Sequence, residues 1–260
     1  MNHRFIHPTA IIEDNVELGN NVEIGPYAII KSGVSLKDNV IIKSHAIISG
    51  STTIGENSVV WPFATIGSQP QDLKYKGEKS TLICGSNNIF REYCNISGGT
   101  NHGGGITKIG SHNLFMINTH VAHDCIIGNH CILVNGVSLA GHIEVDDYAI
   151  LGGHSACHQF IKVGTFAMLA GGSMVSQDVL PYSVVHGNHA KPIGVNLIGL
   201  NRHSFSPDNI ANIKKMYKLI YRSQFSIAKA KEEIAINIKE SKEKTTILNF
   251  LERSNRGLCR

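Results

Sequence analysis

A period of six dominates this chain and leaves little freedom over its fold. Stepping by six from Ile6 gives Ile12, Leu18, Ile24, Ile30, Leu36, Ile42, Ile48, Ile54, Val60 and Ile66, aliphatic at every stop. Four residues after each stands a small or β-branched side chain, among them Ala10, Val16, Val22, Ala28, Val34, Val40 and Ala46. Neither an amphipathic helix nor a simple alternating strand repeats every six residues over such a length. Each hexad reads instead as a short strand and a turn, three hexads to a coil, with coils stacking so that every strand pairs.

The period breaks twice. It is lost over 68–83 (SQPQDLKYKGEKSTLI) and resumes in phase at Cys84, Phe90 and Ile96. It is lost again over 97–108, across GGTNHGGGIT, and returns one residue out of phase at Ile109. The second run continues through Phe115, Val121, Ile127, Leu133, Leu139, Val145, Leu151, Cys157, Val163, Leu169 and Val175. About nine coils at roughly 4.8 Å each make a prism about 40 Å long. After Pro181 the period ends. Ser206-Pro207-Asp208 reads as a helix start, and Ser226 as the cap of a second helix over 227–239. A third is expected over 244–254. The expected division is a solenoid over 1–190 and a helical domain over 191–260.

Charge divides along the same line. From Asn196 onward there are thirteen Lys/Arg against six Asp/Glu, a surplus of seven, whereas the whole chain carries only +4. A basic tail on a slightly acidic body suits an acidic partner. Nucleic acid is not favoured, because no aromatic side chains interleave the basic ones. No apolar run is long enough to span a membrane, and no secretory leader is recognisable at the N-terminus. Six cysteines without a C-x-x-C pair fit reduced thiols in a cytoplasmic protein.

Within residues 118–142 (NTHVAHDCIIGNHCILVNGVSLAGH) lie four histidines, His120, His123, His130 and His142, and two cysteines. The ruler sorts them. Cys125 and Cys131 take corner positions and Cys157 an inward one, so these thiols are structural. No histidine takes either position. The hexads beginning at Val121, Leu139 and Cys157 are the same third of three successive coils, and they carry His123, His142 and His158, with His120 just upstream. Gln159 stacks two coils above His123. His7, His45, His112, His130 and His154 fall elsewhere and are expected at the surface. Imidazole is a common zinc ligand, and trimeric solenoids resembling γ-class carbonic anhydrases hold zinc with three histidines between subunits. The two long loops are not needed for that chemistry, so no metal and no cofactor are expected. A non-enzymatic scaffold leaves the one-edge cluster unexplained.

IHPTAII, IGPY, QDLKYKGE, NTHVAHDCIIGNHCIL, LAGHIEVDDYAILGG, HQFIKVG, SQDVLPY, GNHAKPIGVN, YKLIYRS and RSNRGL together resemble the UDP-N-acetylglucosamine acyltransferase family across essentially the whole chain. The resemblance implies a left-handed parallel β-helix with a C-terminal helical domain, mainly β. It implies a homotrimer that moves a 3-hydroxyacyl group from acyl carrier protein to the glucosamine 3-hydroxyl of UDP-N-acetylglucosamine, the first step of lipid A synthesis. His123 matches the general base, and Gly141 the backbone N–H that receives the oxyanion. Asp72 and Lys74 match contacts to sugar and acyl donor. His120, His142, His158, Gln159, Asn196 and Arg202 match further substrate contacts. Gly171 and His189 match the lining of the acyl groove, where a glycine favours a long chain. The sister N-acyltransferase has an extra uridine-binding domain, for which a ruler beginning at Ile6 leaves no room. A sugar-nucleotide N-acyltransferase using acyl-CoA is the other rival. The chain departs from the family pattern at Ser97-Gly98, where a His-Arg pair is usual, and at Ile198 and His203, which replace an acidic residue and an arginine.

Overall fold

A computed structural model describes residues 5–260; the first four residues of the expected 1–190 span lie outside them. Strands of mostly two residues recur every six positions and stack into three sheets of eleven, nine and eight strands, parallel throughout except for the antiparallel pair that ends the first. Partners in a regular coil lie three hexads apart, as in Glu23↔Ile41, Ile29↔Ile47 and Glu17↔Ser35. Each strand N–H donates to the coil above, for example Ile29 to the Ala46 carbonyl at 2.9 Å. The expected solenoid is the structure found.

The two breaks are loop insertions of different arithmetic. Val59 pairs with Ile89, five hexads on instead of three, so the first loop adds two whole hexads. Ile89 pairs with Leu114, four hexads and one residue on, so the second adds a hexad and one residue more. That difference is why the ruler keeps its phase across one loop and slips by one across the other.

Inward positions are sealed from Ile24 to Ile66, each no more than 1% exposed, and the corner residues Val22, Ala28, Val34, Val40 and Ala46 are fully buried. Phe90 and Phe115 stack in the core with centroids 5.0 Å apart. Cys125 and Cys131 are buried free thiols at corners, and burial pushes both up to about 12, leaving them inert. Ile6, in the first coil of the described residues, is 41% exposed. Periodicity marks direction, not where a stack ends.

The residue three beyond most inward positions takes a left-handed backbone, φ near 60° at the non-glycine ones. Asn, Asp and His tolerate that region best. One column of these residues runs Asn21, Asn39, Asn57, Asn87, His112, His130, Tyr148, Phe166. Its amides bond along the stack at 3.1 Å, and its rings stack at 4.6–4.8 Å. A second column contains His45 and His154, a third Asp124, His142 and Phe160. The surface histidines His45, His112, His130 and His154 are exposed, as expected, and each is a turn residue.

A hairpin of Ser183–His186 and Lys191–Val195 follows the last coil. Four helices complete the chain: α1 Leu197–Arg202, α2 Pro207–Tyr221, α3 Ile227–Asn237 and α4 Lys242–Arg253. Ser206 and Ser226 cap α2 and α3 as expected, accepting from Asn209 and Lys229. The sequence gives no sign of α1, and α3 ends two residues early because Ile238 turns extended. α4 begins at Lys242 instead of 244, capped by Ser241. Leu180 and Tyr182 of the solenoid's end pack with Leu200, Ile213, Met216, Ile234 and Phe250 into a second core. Arg253 of α4 bridges Glu144 (2.9 Å) and Asp146 on the solenoid wall.

Candidate active site

In an extended strand successive side chains point to opposite faces. The left-handed turn at Asp124 (φ 61°) lifts that alternation. His123 and Asp124 therefore share a side, and the His123 Nδ1–H donates to Asp124 Oδ2 at 2.7 Å. The Asp124 side chain is 1% exposed and the His123 side chain 13%. Two more donors hold the carboxylate: the Thr100 N–H at 2.8 Å and the Thr100 hydroxyl at 2.6 Å. The Asp124 N–H in turn donates to Thr107 Oγ1 at 2.8 Å. Glycine at 103 is required, since a Cβ there would stand 2.0 Å from Asp124 Cγ. A carboxylate only accepts, so its bond to Nδ1 puts the proton there and leaves Nε2 as a lone-pair acceptor.

Gly141 lies directly above His123, one coil on. A Cβ at Gly141 would meet His123 Cε1 at 2.6 Å, so no larger residue fits without moving the ring. The Gly141 N–H finds no acceptor among the described residues, although its neighbours Ala140 and His142 donate to Cys157 and His123 carbonyls. The same turn position leaves the His123, Gly153 and Gln159 N–H groups without an acceptor among the described residues, so what distinguishes Gly141 is the imidazole beside it. His142 meets His123 edge-on at 5.2 Å and stacks on Phe160 at 4.5 Å. Burial, then the neighbouring His123, pulls His142 below the usual imidazole range, against the Asp124 charge. His120 is likewise lowered by burial, and its Nδ1–H donates to Asn95 Oδ1 at 2.8 Å.

The first long loop returns to this cluster. Asp72 accepts the Lys74 N–H at 2.9 Å, a bond that lowers its pKa, and the nearby His123 and Lys74 lower it further. Lys74 is exposed. Next along the edge are His158 and Gln159, both exposed; Arg256 donates to His158 Nδ1 at 3.1 Å. His189 sits at the top of the same edge, 3.3 Å from Ser176 Oγ.

Three expected residues stand elsewhere on the chain. Gly171 precedes Gly172 (φ 69°), which stands in the column of His154. Asn196 is buried as the cap of α1, its oxygen accepting from Gly199 and its amide donating to the Phe166 carbonyl. Arg202 ends α1, whose neighbour His203 packs edge-on against Tyr148 and Phe166. Within one chain these lie at corners other than that of His123. Ser97 is buried and Gly98 admits Ser80, whose hydroxyl would lie 2.2 Å from a Cβ there. That packing is local to this departure from the family pattern.

His123, Asp124 and His142 offer nitrogen and oxygen atoms within 4.8 Å of one another. Asp124 already accepts three hydrogen bonds, and the His123 Nδ1 is spent on it. Sequence reasoning misses Thr100, Thr107, Asn95, Phe160 and Arg256. Thr100 carries a signal, since it stands four residues after the inward Ile96.

A parallel hexapeptide solenoid carrying a carboxylate-bound imidazole on one edge defines the class of hexapeptide-repeat acyltransferases. The hexapeptide transferase model matches residues 33–68 and 106–141, and the model for domain 2 of UDP N-acetylglucosamine O-acyltransferase matches 178–259. The chain is 41% identical to LpxA from Acinetobacter baumannii, covering 98% of this chain and 100% of that one with TM-score 0.97. LpxA from Bacteroides fragilis, a UDP-N-acetylglucosamine acyltransferase, is 39% identical over 98% and 100% with TM-score 0.96. The UDP-N-acetylglucosamine acyltransferase from Campylobacter jejuni is 37% identical over 98% of each chain with TM-score 0.93. The chain belongs to the UDP-N-acetylglucosamine O-acyltransferase family.

Proposed function

We propose that the chain transfers a 3-hydroxyacyl group from acyl carrier protein to the 3-hydroxyl of UDP-N-acetylglucosamine, with His123 as general base. An alcohol is too weak an acid to attack a thioester unaided. The His123 Nε2 takes its proton as the C–O bond forms, a contribution of typically about 10²–10⁴-fold. Asp124 holds the tautomer and stabilises the imidazolium. The carbonyl oxygen becomes an oxyanion and accepts from the Gly141 N–H. Collapse breaks the C–S bond, and the imidazolium returns its proton to the departing thiolate. The observation that carries this reading is the 2.7 Å His123–Asp124 bond beside the unpaired Gly141 N–H.

Asp72, Lys74, His120, His142, His158 and Gln159 contact sugar and acyl donor in this reading. Gly171 and His189 line a groove for a long acyl chain. Arg202 reaches a phosphate of the nucleotide, with Asn196 fixing the start of the helix that carries it. Since Arg202 and His123 occupy different corners of one chain, the site forms between neighbours in a homotrimer. The exposed Lys214, Lys215 and Lys218 of α2 form no ion pair among the described residues, which supports docking of an acidic carrier protein. Among the described residues no helix is long and apolar enough to cross a membrane. A cytoplasmic location and the first step of lipid A synthesis complete the proposal. Mass spectrometry of the product from UDP-N-acetylglucosamine and mixed-chain acyl carrier proteins tests it. An O-linked long-chain 3-hydroxyacyl product is expected; acylation only of a 3-amino sugar contradicts it.

A further inference from the structure

The helical layer contains a cavity of about 310 Å³, between the hairpin strand Lys191–Val195, the end of α2 and the final residues, that acyl transfer does not use. Tyr217 and Tyr221 stand one turn apart on α2, so both face it, with ring centroids 4.8 Å apart. Both hydroxyls are buried, and neither has a hydrogen-bond partner among the described residues. Buried hydroxyls are nearly always satisfied, so an orphaned pair lining one cavity points to something that occupies it. Tyr217 is 8% exposed. Burial raises its pKa, keeping the phenol a neutral O–H donor, while the nearby Arg222 opposes that rise, its guanidinium falling short of hydrogen-bond geometry.

Three cations complete the lining: Lys191 from the hairpin, Arg222 at the end of α2, and Arg260. All are exposed, whereas the hydroxyls are buried, so the charges stand at the rim. No acidic residue lines the cavity, and none of the three forms an ion pair among the described residues. The C-terminus of α2 contributes a partial negative charge of about half a unit, well below three formal cations. Water would satisfy the phenols and solvate the exposed rim cations without pairing them. An oxyanion with several acceptor oxygens satisfies the phenols and pairs the cations. The apolar side of the cavity, Ile220, Phe225 and Pro192, suits the organic group such an anion would carry.

We propose that this cavity binds a phosphate monoester, its oxyanion held by the Tyr217 and Tyr221 hydroxyls with Lys191, Arg222 and Arg260, and its organic group against Phe225. The proposal does not depend on the role of His123. Titration calorimetry of the full chain with phenyl phosphate and with inorganic phosphate tests it. Saturable binding of one phenyl phosphate per chain is expected, at least about tenfold tighter than inorganic phosphate. Tyr221→Phe, Tyr217→Phe and Arg222→Gln should each weaken it by about tenfold or more, and His123→Ala should leave it unchanged. The Phe variants keep both rings, and retained thermal unfolding confirms their fold. Absence of saturable binding, or affinity unmoved by these variants, overturns the site. Loss of binding in His123→Ala would assign the phosphate to the acyl-transfer site and overturn it equally. Equal affinity for the two ligands overturns the monoester and leaves free phosphate as the source.

Discussion

Consider Asp124→Asn, which exchanges one carboxylate oxygen for an NH₂ group and changes almost nothing in shape. Three donors converge on the native carboxylate: the Thr100 N–H (2.8 Å), the Thr100 hydroxyl (2.6 Å) and the His123 Nδ1–H (2.7 Å). The backbone N–H cannot turn away, so the amide oxygen of the variant must face it. That leaves the NH₂ pointing at His123 Nδ1 and the Thr100 hydroxyl. The hydroxyl can rotate to accept. The imidazole must also accept, which moves its proton to Nε2, and Nε2 then cannot take the sugar's proton. Working through the minor tautomer means breaking that bond and losing a charge-assisted one, worth about 1.5–3 kcal/mol where the carboxylate is buried. At about 1.4 kcal/mol per tenfold, that alone slows the step roughly 10–150-fold. Loss of the charge facing the imidazolium adds to it, so kcat should fall about 10²–10⁴-fold with KM within a few fold. Steady-state acyl transfer at saturating nucleotide measures this, alongside thermal unfolding to confirm that the solenoid is intact. A kcat within about threefold of the native enzyme would refute the tautomer argument.

Thr100→Val removes the hydroxyl but keeps the N–H, and should lower kcat by about tenfold, with Thr100→Ser restoring it; an unaffected Val variant would show that the strap is idle. Gly141→Ala puts a methyl 2.6 Å from His123 Cε1 and should displace the ring, lowering kcat without changing the unfolding midpoint by much; full activity would show that the ring need not lie there. Burial lowers the pKa of His120 below 6.5, so the native state favours the neutral ring and the unfolded chain binds the proton first. That stability is present above about pH 6.5 and lost as pH falls toward the folded value, so urea midpoints should drop from pH 7.5 to 5.5, less so in His120→Gln. Light scattering should give three times 28.3 kDa. Mixing His123→Ala with Arg202→Ala chains should restore roughly a quarter of the sites in random trimers, and no restoration would place both residues in one chain's site.

Much of the architecture is legible because one physical rule, burial of every sixth residue, governs most of the chain. Ile24 through Ile66 are sealed as that rule requires, and Cys125 and Cys157 fall where it puts them. The loops are legible too, as breaks in phase. The active edge is partly so, since residues three hexads apart stack and bring Gly141 over His123. What stays hidden depends on backbone sign and long-range contact. The left-handed turn at residue 124 decides that Asp124 reaches His123, and no spacing reveals it. Thr100 meets Asp124 through a loop outside the repeat. Asn196 reads as a polar contact residue in sequence, yet both ends of its amide are committed to α1 and Phe166.

The central claim is that the His123 Nε2 takes the proton, and one pair of variants tests it most directly. His123→Ala leaves the buried core untouched, because position 123 lies outside the inward and corner positions. His130→Ala removes an exposed ring from a different column, stacked on His112 and Tyr148. With kcat measured for both in the presence of a chelator, the native enzyme and His130→Ala should retain most of their activity. His123→Ala should fall about 10²–10⁴-fold at little cost in substrate binding. A His123→Ala enzyme that keeps more than about a tenth of native kcat would contradict the account and make His142 the base to test next.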